Sequence, residues 1–487
     1  MTFRAADVLF LLPRRPDTIR IIGNGFDDLA AAAAASGIAV VHDDTAADVV
    51  VCRSRDARRA LASRDHTVIV WGLLKPWAPR RFDRGARRFH AWGPRAATRV
   101  FIPTDSRSVG RRLVRQLSHD TLRARARNLA LRASVEAGVS VPSMIVTVCA
   151  REPAPPALLT TDACSRVIVD PRHFRLDCGD GDDLQRVVFH LHERSGPRAV
   201  LKFSRVPDNP EPFARDEAGL CIVAGCRESV ARHAPRFLGR GTLGRTAFSI
   251  ESNAPGPPLS NLLARHPIPS WVPGQIGAIT EWIEALHLDT ASPTTGAPSI
   301  DASFTDAQSS PLLRERLDIA LGRVPRVFAH GDPGSWNILS TRQTFTLVDW
   351  EGAVHASPPF WDLWYFLADA LARLEAPTDV AARIAFSLDL FAGRTARSIE
   401  VFAATERIRA QLRVHLDDVG PLLAGCWIFH EARRQARARS TVSLGNKPAT
   451  FDHLSRLAER WLDDPDLGID WAAYRRFAAS PRQGVGR

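Results

Sequence analysis

The sequence predicts a mixed chain, in which a Rossmann-like α/β domain at the N-terminus precedes a larger α+β region. Two observations support this prediction. Up to about residue 105, short apolar runs alternate with helical segments, a pattern typical of a parallel sheet whose strands are joined by helices. From residue 158 onward, strand-forming runs come first and helical stretches follow, which is typical of an α+β fold. A chain of 487 residues has room for about three folding units of ~150 residues.

The composition is that of a globular protein. Hydrophobic residues make up 45% of the chain and charged residues 24%, and no apolar run approaches the ~20 residues that a transmembrane helix needs. The N-terminal apolar segment stops at Arg14 and is too short for a signal peptide, so we expect a cytoplasmic protein. The seven cysteines lack zinc-ligand spacing, and we expect them to be reduced. The net charge of +11 favours anionic ligands but does not demand nucleic acid, and we expect none.

The elements of the N-terminal domain, residues 1–105, follow from its apolar runs. An alanine-rich helix ends near Gly37, a residue suited to a helix C-terminus. The first strand ends in Gly23-Asn24-Gly25, which forms either a structural turn or a loop that binds a nucleotide or S-adenosylmethionine. Asp28 stands where a third glycine would complete G-x-G-x-x-G, so the turn is favoured. The predicted strands are 18–22, 38–41, 48–52 and 67–71.

Two segments connect this domain to the rest of the chain. Residues 75–99 combine many arginines with four aromatic residues, a composition that could bind an anionic ligand, a nucleic-acid strand or a membrane surface. We interpret them as a solvated loop, with binding of a phosphorylated small molecule as the next alternative. Residues 108–137 have leucines spaced as in a helix, so 106–157 is predicted to be a helical linker. A stretch rich in proline and alanine, 152–157, marks its end.

The most informative stretch is 327–351. It contains His330-Gly331-Asp332, then Asn337 five residues after the aspartate, then a β-type run that ends at Asp349. Phosphoryl transfer needs a carboxylate that orients the attacking hydroxyl and two oxygen ligands that hold Mg²⁺ on the nucleotide phosphates. Asp332 fits the first role, and Asn337 and Asp349 fit the second, because a loop followed by a hairpin would bring the three together.

This pattern resembles the aminoglycoside phosphotransferase and choline kinase family, in which HGD-x4-N is followed by (I/V)-D-(W/F)-E. The resemblance implies a two-lobed, protein-kinase-like fold, with a small lobe over residues 158–252 and a helical large lobe over 253–487. It implies ATP and Mg²⁺ as cofactors and transfer of the γ-phosphoryl group to a hydroxyl of a small molecule. The acceptor stays open among aminoglycosides, choline, homoserine and sugars.

Lys202 is one of only three lysines in this arginine-rich chain, and it lies on the β-type run 198–203. Strand alternation places it on the same face as Val200. In the resembling family, a strand lysine contacts the α/β-phosphates and is held by a glutamate on the following helix. The resemblance therefore assigns nucleotide binding to Lys202 and, fifteen residues later, to Glu217.

Two more segments resemble nucleotide-binding parts of the family. Residues 247–259 resemble the hinge between the lobes, where the backbone of Glu251 to Asn253 would face the adenine edge. Residues 177–183 contain two glycines but four aspartates, which would repel a triphosphate, so we favour a hairpin turn over a phosphate-covering loop. Further strands are predicted at 166–169 and 186–192, helices at 275–287, 359–374 and 405–438, and a flexible insertion at 289–310.

Several residues near the motif receive structural roles. The resemblance implies that His330 braces the loop and does not act as the base. We interpret Glu351 and Asp362 as loop-bracing or helix-starting residues and not as metal ligands. Pro333 and Trp336 replace the family's common leucine and glycine, and we expect Trp336 to narrow the substrate entrance.

Two other interpretations stay open. In one, the kinase-like region is a pseudo-kinase that binds a ligand without catalysis, because the acidic loop prevents productive ATP binding. In the other, the N-terminal domain has the main activity, a methyl or glycosyl transfer, and the kinase-like region is accessory. The sequence leaves the oligomeric state open.

Overall fold

The structure is a computed structural model. It describes residues 3–116, 145–293, 311–443 and 471–480, apart from gaps at 25, 36, 42–45, 54, 61–66, 72–85, 93–99, 151–153, 169, 180–185, 194–195 and 376–378, and it also describes residues 129, 132–133, 136 and 454.

The chain divides into two compact units. Unit 1 comprises Met1–Phe213, Phe237–Asn253 and Thr441–Pro448, and unit 2 comprises Ala214–Arg236, Ala254–Ser440 and Ala449–Arg487. Unit 1 therefore contains both the segment predicted as the N-terminal domain and most of the segment predicted as the small lobe.

Unit 1 is built on a mixed sheet, which has twelve strands among the described residues. Valine and isoleucine runs form several of its buried strands, such as Val49–Arg53 and Thr67–Trp71, because such side chains pack well on a pleated surface. The strands are β1 (Thr18–Ile22), β2 (Ala39–Val41), β3 (Val49–Arg53), β4 (Thr67–Trp71), β5 (Ala86–Trp92), β6 (Val100–Pro103), β7 (Ile145–Cys149), β8 (Phe174–Asp177), β9 (Val187–Glu193), β10 (Gly196–Phe203), β11 (Phe237–Leu243) and β12 (Thr246–Ser252).

The first four strands are parallel, in the order β2-β1-β3-β4, as the alternation of strands and helices predicts. The rest of the sheet is antiparallel and continues in the order β7-β5-β6-β8-β9-β10-β12-β11. Strand β7 lies inside the segment predicted as a helical linker, yet it pairs with both β4 and β5. The helices of unit 1 are α1 (Asp27–Ala35), α2 (Ala57–Ala60), α3 (Arg107–Gln116) and α4 (Asp162–Ser165).

A row of phenylalanine rings connects strands β5, β8, β9 and β10 on one face of the sheet. The ring centroids of Phe89 and Phe174 are 6.1 Å apart, those of Phe174 and Phe189 5.2 Å, and those of Phe189 and Phe203 5.6 Å. Phe10 completes the row, 4.4 Å from Phe203. All four strand phenylalanines are fully buried, and each contributes roughly 1.5–3 kcal/mol by burial, so the strands share one core.

Two further predictions in unit 1 are wrong. Residues 86–92, predicted as part of a solvated loop, form strand β5, in which Phe89 and His90 are buried and the Arg87 guanidinium lies 5.1 Å from the Phe174 ring. The rest of segment 75–99 lies outside the described residues. Residues 166–168, predicted to begin a strand, instead form the turn that ends α4.

Unit 2 is mostly helical. The predicted helix 405–438 is two helices, because Arg413 adopts a left-handed conformation with φ of 55° and interrupts the helical hydrogen bonds. The helices are α5 (Glu211–Ala224), whose first turn belongs to unit 1, α6 (Glu228–Ala231), α7 (Leu259–Leu263), α8 (Val272–Thr290), α9 (Pro311–Arg323), α10 (Trp361–Glu375), α11 (Val380–Phe391), α12 (Ser398–Leu412), α13 (Leu416–Ser443) and α14 (Ala472–Ala479).

Two small antiparallel pairs hold the predicted motif. Strand β13 (Val327–Ala329) pairs with β16 (Val354–Ser357), and β14 (Ile338–Ser340) pairs with β15 (Phe345–Leu347). Short 3₁₀ turns occur at Phe3–Leu11, Ala157–Thr160, Ser335–Asn337 and Trp350–Gly352. No helix in the described part of the chain has the length and apolar character needed to cross a membrane.

Candidate active site

The turn after β13 positions the His-Gly-Asp run. Gly331 has φ of +79°, a conformation that strains residues with a Cβ atom. A Cβ atom at this position would also collide with the carbonyl oxygen of Gly352. Glycine is therefore required here on two grounds, and it brings the segment after β13 close to the segment after Asp349.

His330 holds this turn in place. Its buried ring accepts the backbone N–H of Asp332 at Nδ1, over 3.3 Å, and its Nε2 lies 3.1 Å from the carbonyl oxygen of Val348. This pattern fits the neutral tautomer with the proton on Nε2. The ring centroid is 4.5 Å from that of Trp350. Both ring nitrogens are thus engaged with the backbone, as expected for a bracing residue.

Asp362 lies in the first turn of helix α10 and braces the loop that contains His330 and Gly331. One carboxylate oxygen accepts the N–H of His330 over 2.5 Å, and the other accepts the N–H of Gly331 over 3.0 Å. Burial raises the pKa of this carboxyl to about 6, against the effect of the two N–H donors and of Arg433. The bracing role predicted for Asp362 is confirmed.

Asn337 contacts the candidate base directly. Its Nδ2 donates to the Asp332 carboxylate over 3.1 Å and to the Asp332 carbonyl oxygen over 3.0 Å. Because the nitrogen faces Asp332, the amide oxygen is the atom of Asn337 that can bind a cation. The five-residue interval in the sequence thus brings the two side chains together.

Asp349 reaches the same end of the hairpin through backbone pairing. Ile338 pairs with Leu347, and the N–H of Val348 donates to the carbonyl oxygen of Asn337 over 2.9 Å. Asp349 follows at once, in a left-handed conformation with φ of 73° and ψ of 61°. Such backbone strain in a residue other than glycine is typical of functional sites.

The donor set at this hairpin suits a hard cation. One carboxylate, Asp349, and one amide oxygen, Asn337, are the oxygen ligands that Mg²⁺ prefers, and Mg²⁺ takes its remaining ligands from water and phosphates. Within the described ranges, no group of three or more His, Cys, Asp or Glu side chains forms a metal site. The arrangement thus fits a cation that is shared with a phosphate ligand.

Two bracing residues were missed by the sequence analysis. Asp369 lies on the same face of α10 as Asp362, seven residues later. It accepts the N–H of Ser335 over 2.8 Å and is paired with Arg373. Arg433 on α13 donates through Nη1 to the carbonyl oxygens of Gly331, over 3.2 Å, and Gly352, over 2.9 Å. The seven-residue interval could have revealed Asp369, whereas no sequence signal marked Arg433.

Arg433 also brings positive charge to the site. Burial lowers the pKa of its guanidinium, and the nearby charges of Asp332 and Glu351 oppose that shift. On α5, Arg215 donates to the backbone carbonyl of Glu351 over 2.9 Å. This contact involves the backbone of Glu351, and the loop-bracing or helix-starting role of its side chain stays a prediction.

Trp336 packs over the loop. Its ring lies against Gly334, where a Cβ atom would collide with it, and 6.4 Å from the Tyr365 ring in an edge-on arrangement. The Arg373 guanidinium lies 5.9 Å from the Trp336 ring. The half-buried indole leaves part of its surface for a ligand, and the predicted narrowing of a substrate entrance stays a prediction.

In unit 1, the structure places Lys202 on β10 in a buried ion pair with Glu251 on β12. The Nζ and Oε1 atoms are 2.9 Å apart, and the side chains are 8% and 3% exposed. Leu201 and Phe203 enter the core from the opposite face of the strand, as predicted from the alternation.

The other predicted nucleotide-binding residues are Glu217, Glu251 and Asn253. Glu217 lies half-buried on α5, and its pairing with Lys202 stays a prediction. The N–H of Asn253 donates to the carbonyl oxygen of Arg198 over 3.2 Å, so this amide is already engaged. Residues 180–183 of the acidic loop lie outside the described residues. In the first βα connection, Gly23 has φ of +91° and faces Asp56, while Gly25 lies outside the described residues.

Comparisons with known proteins agree with the motif. Residues 181–399 match the sequence model of the phosphotransferase enzyme family (APH). No curated protein matches the chain.

Two solved structures are similar over long stretches. One is the aminoglycoside phosphotransferase APH(3'')-Id from Streptomyces rimosus in complex with ADP and streptomycin, at 16% identity, covering 56% of this chain and 93% of that chain with a TM-score of 0.28. The other is WbdD, at 13% identity, covering 90% of this chain and 91% of that chain, also with a TM-score of 0.28. At this TM-score, neither likeness supports an argument about this chain.

The family match includes all the motif residues from His330 to Glu351, as well as Lys202 and Glu217. It confirms the resemblance that the motif predicts. Over residues 181–399, the chain is similar in sequence to the phosphotransferase enzyme family.

Proposed function

We propose that this chain transfers the γ-phosphoryl group of ATP to a hydroxyl of a small molecule. The observation that supports this most strongly is the contact between the Asn337 amide and the Asp332 carboxylate, at the end of the hairpin that leads to Asp349. A base and two oxygen ligands on one rigid hairpin are what in-line phosphoryl transfer requires.

In this proposal, Asp332 accepts the proton of the acceptor hydroxyl and orients its oxygen towards the phosphorus atom. The hydrogen bond from Asn337 fixes the carboxylate, and His330 and Asp362 fix the backbone beneath it. Alignment and charge stabilisation account for most of the acceleration in such a site.

Asn337, through its amide oxygen, and Asp349 would hold Mg²⁺. When bound, Mg²⁺ neutralises phosphate charge and orients the phosphates. Lys202, held by Glu217, would anchor the nucleotide phosphates, and Glu251 and Asn253 belong to the segment proposed to adjoin the adenine. ATP as the phosphoryl donor agrees with the predicted cytoplasmic location.

The proposed acceptor is a small molecule with a free hydroxyl. Aminoglycosides, choline, homoserine and sugars are the candidates that the family resemblance suggests. A pseudo-kinase is less favoured, because the base and both metal-ligand candidates are present and mutually positioned.

The test is a screen for ADP release from Mg·ATP over a panel of hydroxylated metabolites and antibiotics, with ³¹P NMR to identify the phosphorylated product. Asp332→Asn serves as the inactive control, and Asp318→Asn, an exposed aspartate on α9, serves as the matched control. A product formed by the wild type and Asp318→Asn but not by Asp332→Asn supports the proposal. Equal product with Asp332→Asn would overturn the assignment of the base.

A further inference from the structure

The ion pair between Lys202 and Glu251 is formed within one sheet. Strand β10 pairs with β12 so that Lys202 lies opposite Ser249 and Val200 lies opposite Glu251. Lys202 and Glu251 are therefore diagonal neighbours on one face. Because Ser249 is small, the long lysine side chain has room to extend across it to the glutamate.

The backbone of Glu251 is committed to the sheet. At this position β12 has β10 on one side, through Val200, and β11 on the other, through Phe237. In an antiparallel sheet, the N–H and C=O of a residue point to the same side, and here a strand lies on either side. This differs from the expectation that the Glu251 backbone faces an adenine edge. The side chain of Glu251, and not its backbone, contacts Lys202, a predicted nucleotide-binding residue.

The ion pair restrains the direction of the lysine side chain. An ammonium group has three N–H donors, and the contact with Glu251 Oε1 engages one of them. A buried charge needs a partner to be stable, and a carboxylate held at a fixed strand position also restricts the direction of the remaining N–H groups.

We propose that Glu251 is the positioning residue for Lys202, so that its side chain orients the ammonium group towards the nucleotide phosphates. This rests on the proposed function, since it assumes that Lys202 binds ATP. Glu251 thereby adds a second orienting group to the one that the family resemblance gives to the helix residue Glu217.

The experiment measures binding of Mg·ATP and of adenosine by isothermal titration calorimetry. Glu251→Gln removes the charge and keeps the shape, so it should weaken Mg·ATP binding about 10-fold or more, since hydrogen bonds to charged groups are worth that much. Adenosine, which has no phosphates, should bind as it does to the wild type. In a Lys202→Met background, Glu251→Gln should have no further effect on Mg·ATP binding.

Two variants serve as controls. Glu193→Gln removes a glutamate from the neighbouring β9–β10 hairpin, where it is paired at 3.9 Å with Arg198, and it should bind both ligands like the wild type. Glu251→Asp keeps the countercharge for Lys202 and shifts it by one methylene, so it guards against a folding defect in Glu251→Gln. It should show intermediate Mg·ATP affinity and unchanged adenosine affinity.

The outcomes separate the two proposals. A wild type that binds neither Mg·ATP nor adenosine would overturn the proposed function. A wild type that binds Mg·ATP while Glu251→Gln and Glu251→Asp bind it equally well would overturn the positioning role alone. Equal losses for Mg·ATP and adenosine in both variants would also overturn it, because they would indicate a general structural effect.

Discussion

The side-chain amide of Asn337 donates to the carboxylate of Asp332 across 3.1 Å, and the backbone carbonyl of Asn337 accepts the N–H of Val348 across 2.9 Å. One residue thereby connects the candidate base to the segment that leads to Asp349.

Asp332→Asn should leave folding and Mg·ATP binding nearly intact and lower turnover by about 10²-fold or more, the usual span for a positioned acid–base group. Turnover is measured on the acceptor found by the screen, with Mg·ATP affinity measured separately. Wild-type turnover in Asp332→Asn would show that another residue is the base.

Asp349→Ala should raise the magnesium concentration needed for ATP binding, because it removes a carboxylate ligand. Alanine is also strained at φ of 73°, whereas asparagine tolerates this conformation, so Asp349→Asn is the matched variant that separates charge from backbone strain. Both variants should show the magnesium defect in titrations at fixed ATP. Unchanged magnesium dependence in Asp349→Asn would remove Asp349 from the metal site.

Lys202→Met should weaken ATP use far more than it lowers stability, and Glu217→Ala should produce a similar but smaller defect. Lys202→Arg is the sharper test, because a forked guanidinium is larger than an ammonium and Lys202 is buried against Glu251. We expect Lys202→Arg to bind Mg·ATP poorly while an exposed control, Arg198→Lys, binds it normally. Wild-type affinity in Lys202→Arg would show that Lys202 does not contact the phosphates.

Asp362 should make stability depend on pH. Its pKa is raised to about 6 in the folded protein, so between pH ~4 and ~6 the folded state binds more protons than the unfolded state. The contribution of Asp362 to the free energy of unfolding therefore falls as the pH rises through this window and is level above it. The difference in this free energy between wild type and Asp362→Asn should be larger at pH 4.5 than at pH 7.5, by about 2 kcal/mol.

Urea denaturation of both proteins at the two pH values checks this prediction. At pH 7.5, Asp362→Asn should be less stable than wild type, because the two oxygens of the carboxylate accept the His330 and Gly331 N–H groups, whereas an amide has one acceptor oxygen. Equal differences at the two pH values would mean that Asp362 titrates at its ordinary pKa.

Arg433→Met should lower turnover by about 10-fold or more, because the loops that contain Asp332 and Gly352 lose their shared donor and small misplacements of a base are costly. Arg434→Met is the matched control, since the next residue on α13 is paired with Glu431 of the same helix. If the two variants have equal turnover, Arg433 has no special role in positioning the loop.

Local patterns were sufficient for part of this molecule. Strands β1 and β4 lie at the predicted residues, because each is a continuous apolar run bounded by polar residues. The candidate residues Asp332, Asn337 and Asp349 could be predicted from the sequence, because one turn and one hairpin connect them. Such a connection is encoded within a short stretch of the chain. The family match over residues 181–399 agrees with that local signal.

Only the tertiary structure decided the rest. Strand β5 is arginine-rich and forms because β6 and β7 supply its hydrogen bonds, and Arg87 gains cover from Phe174. The pairing of Lys202 with Glu251 depends on the register of β10 and β12, and Arg433 reaches Gly331 from a helix about a hundred positions away. Contacts between distant residues depend on the packing of whole elements, whereas the motif that contains Asp332 and Asn337 depends on the local geometry of one turn and one hairpin.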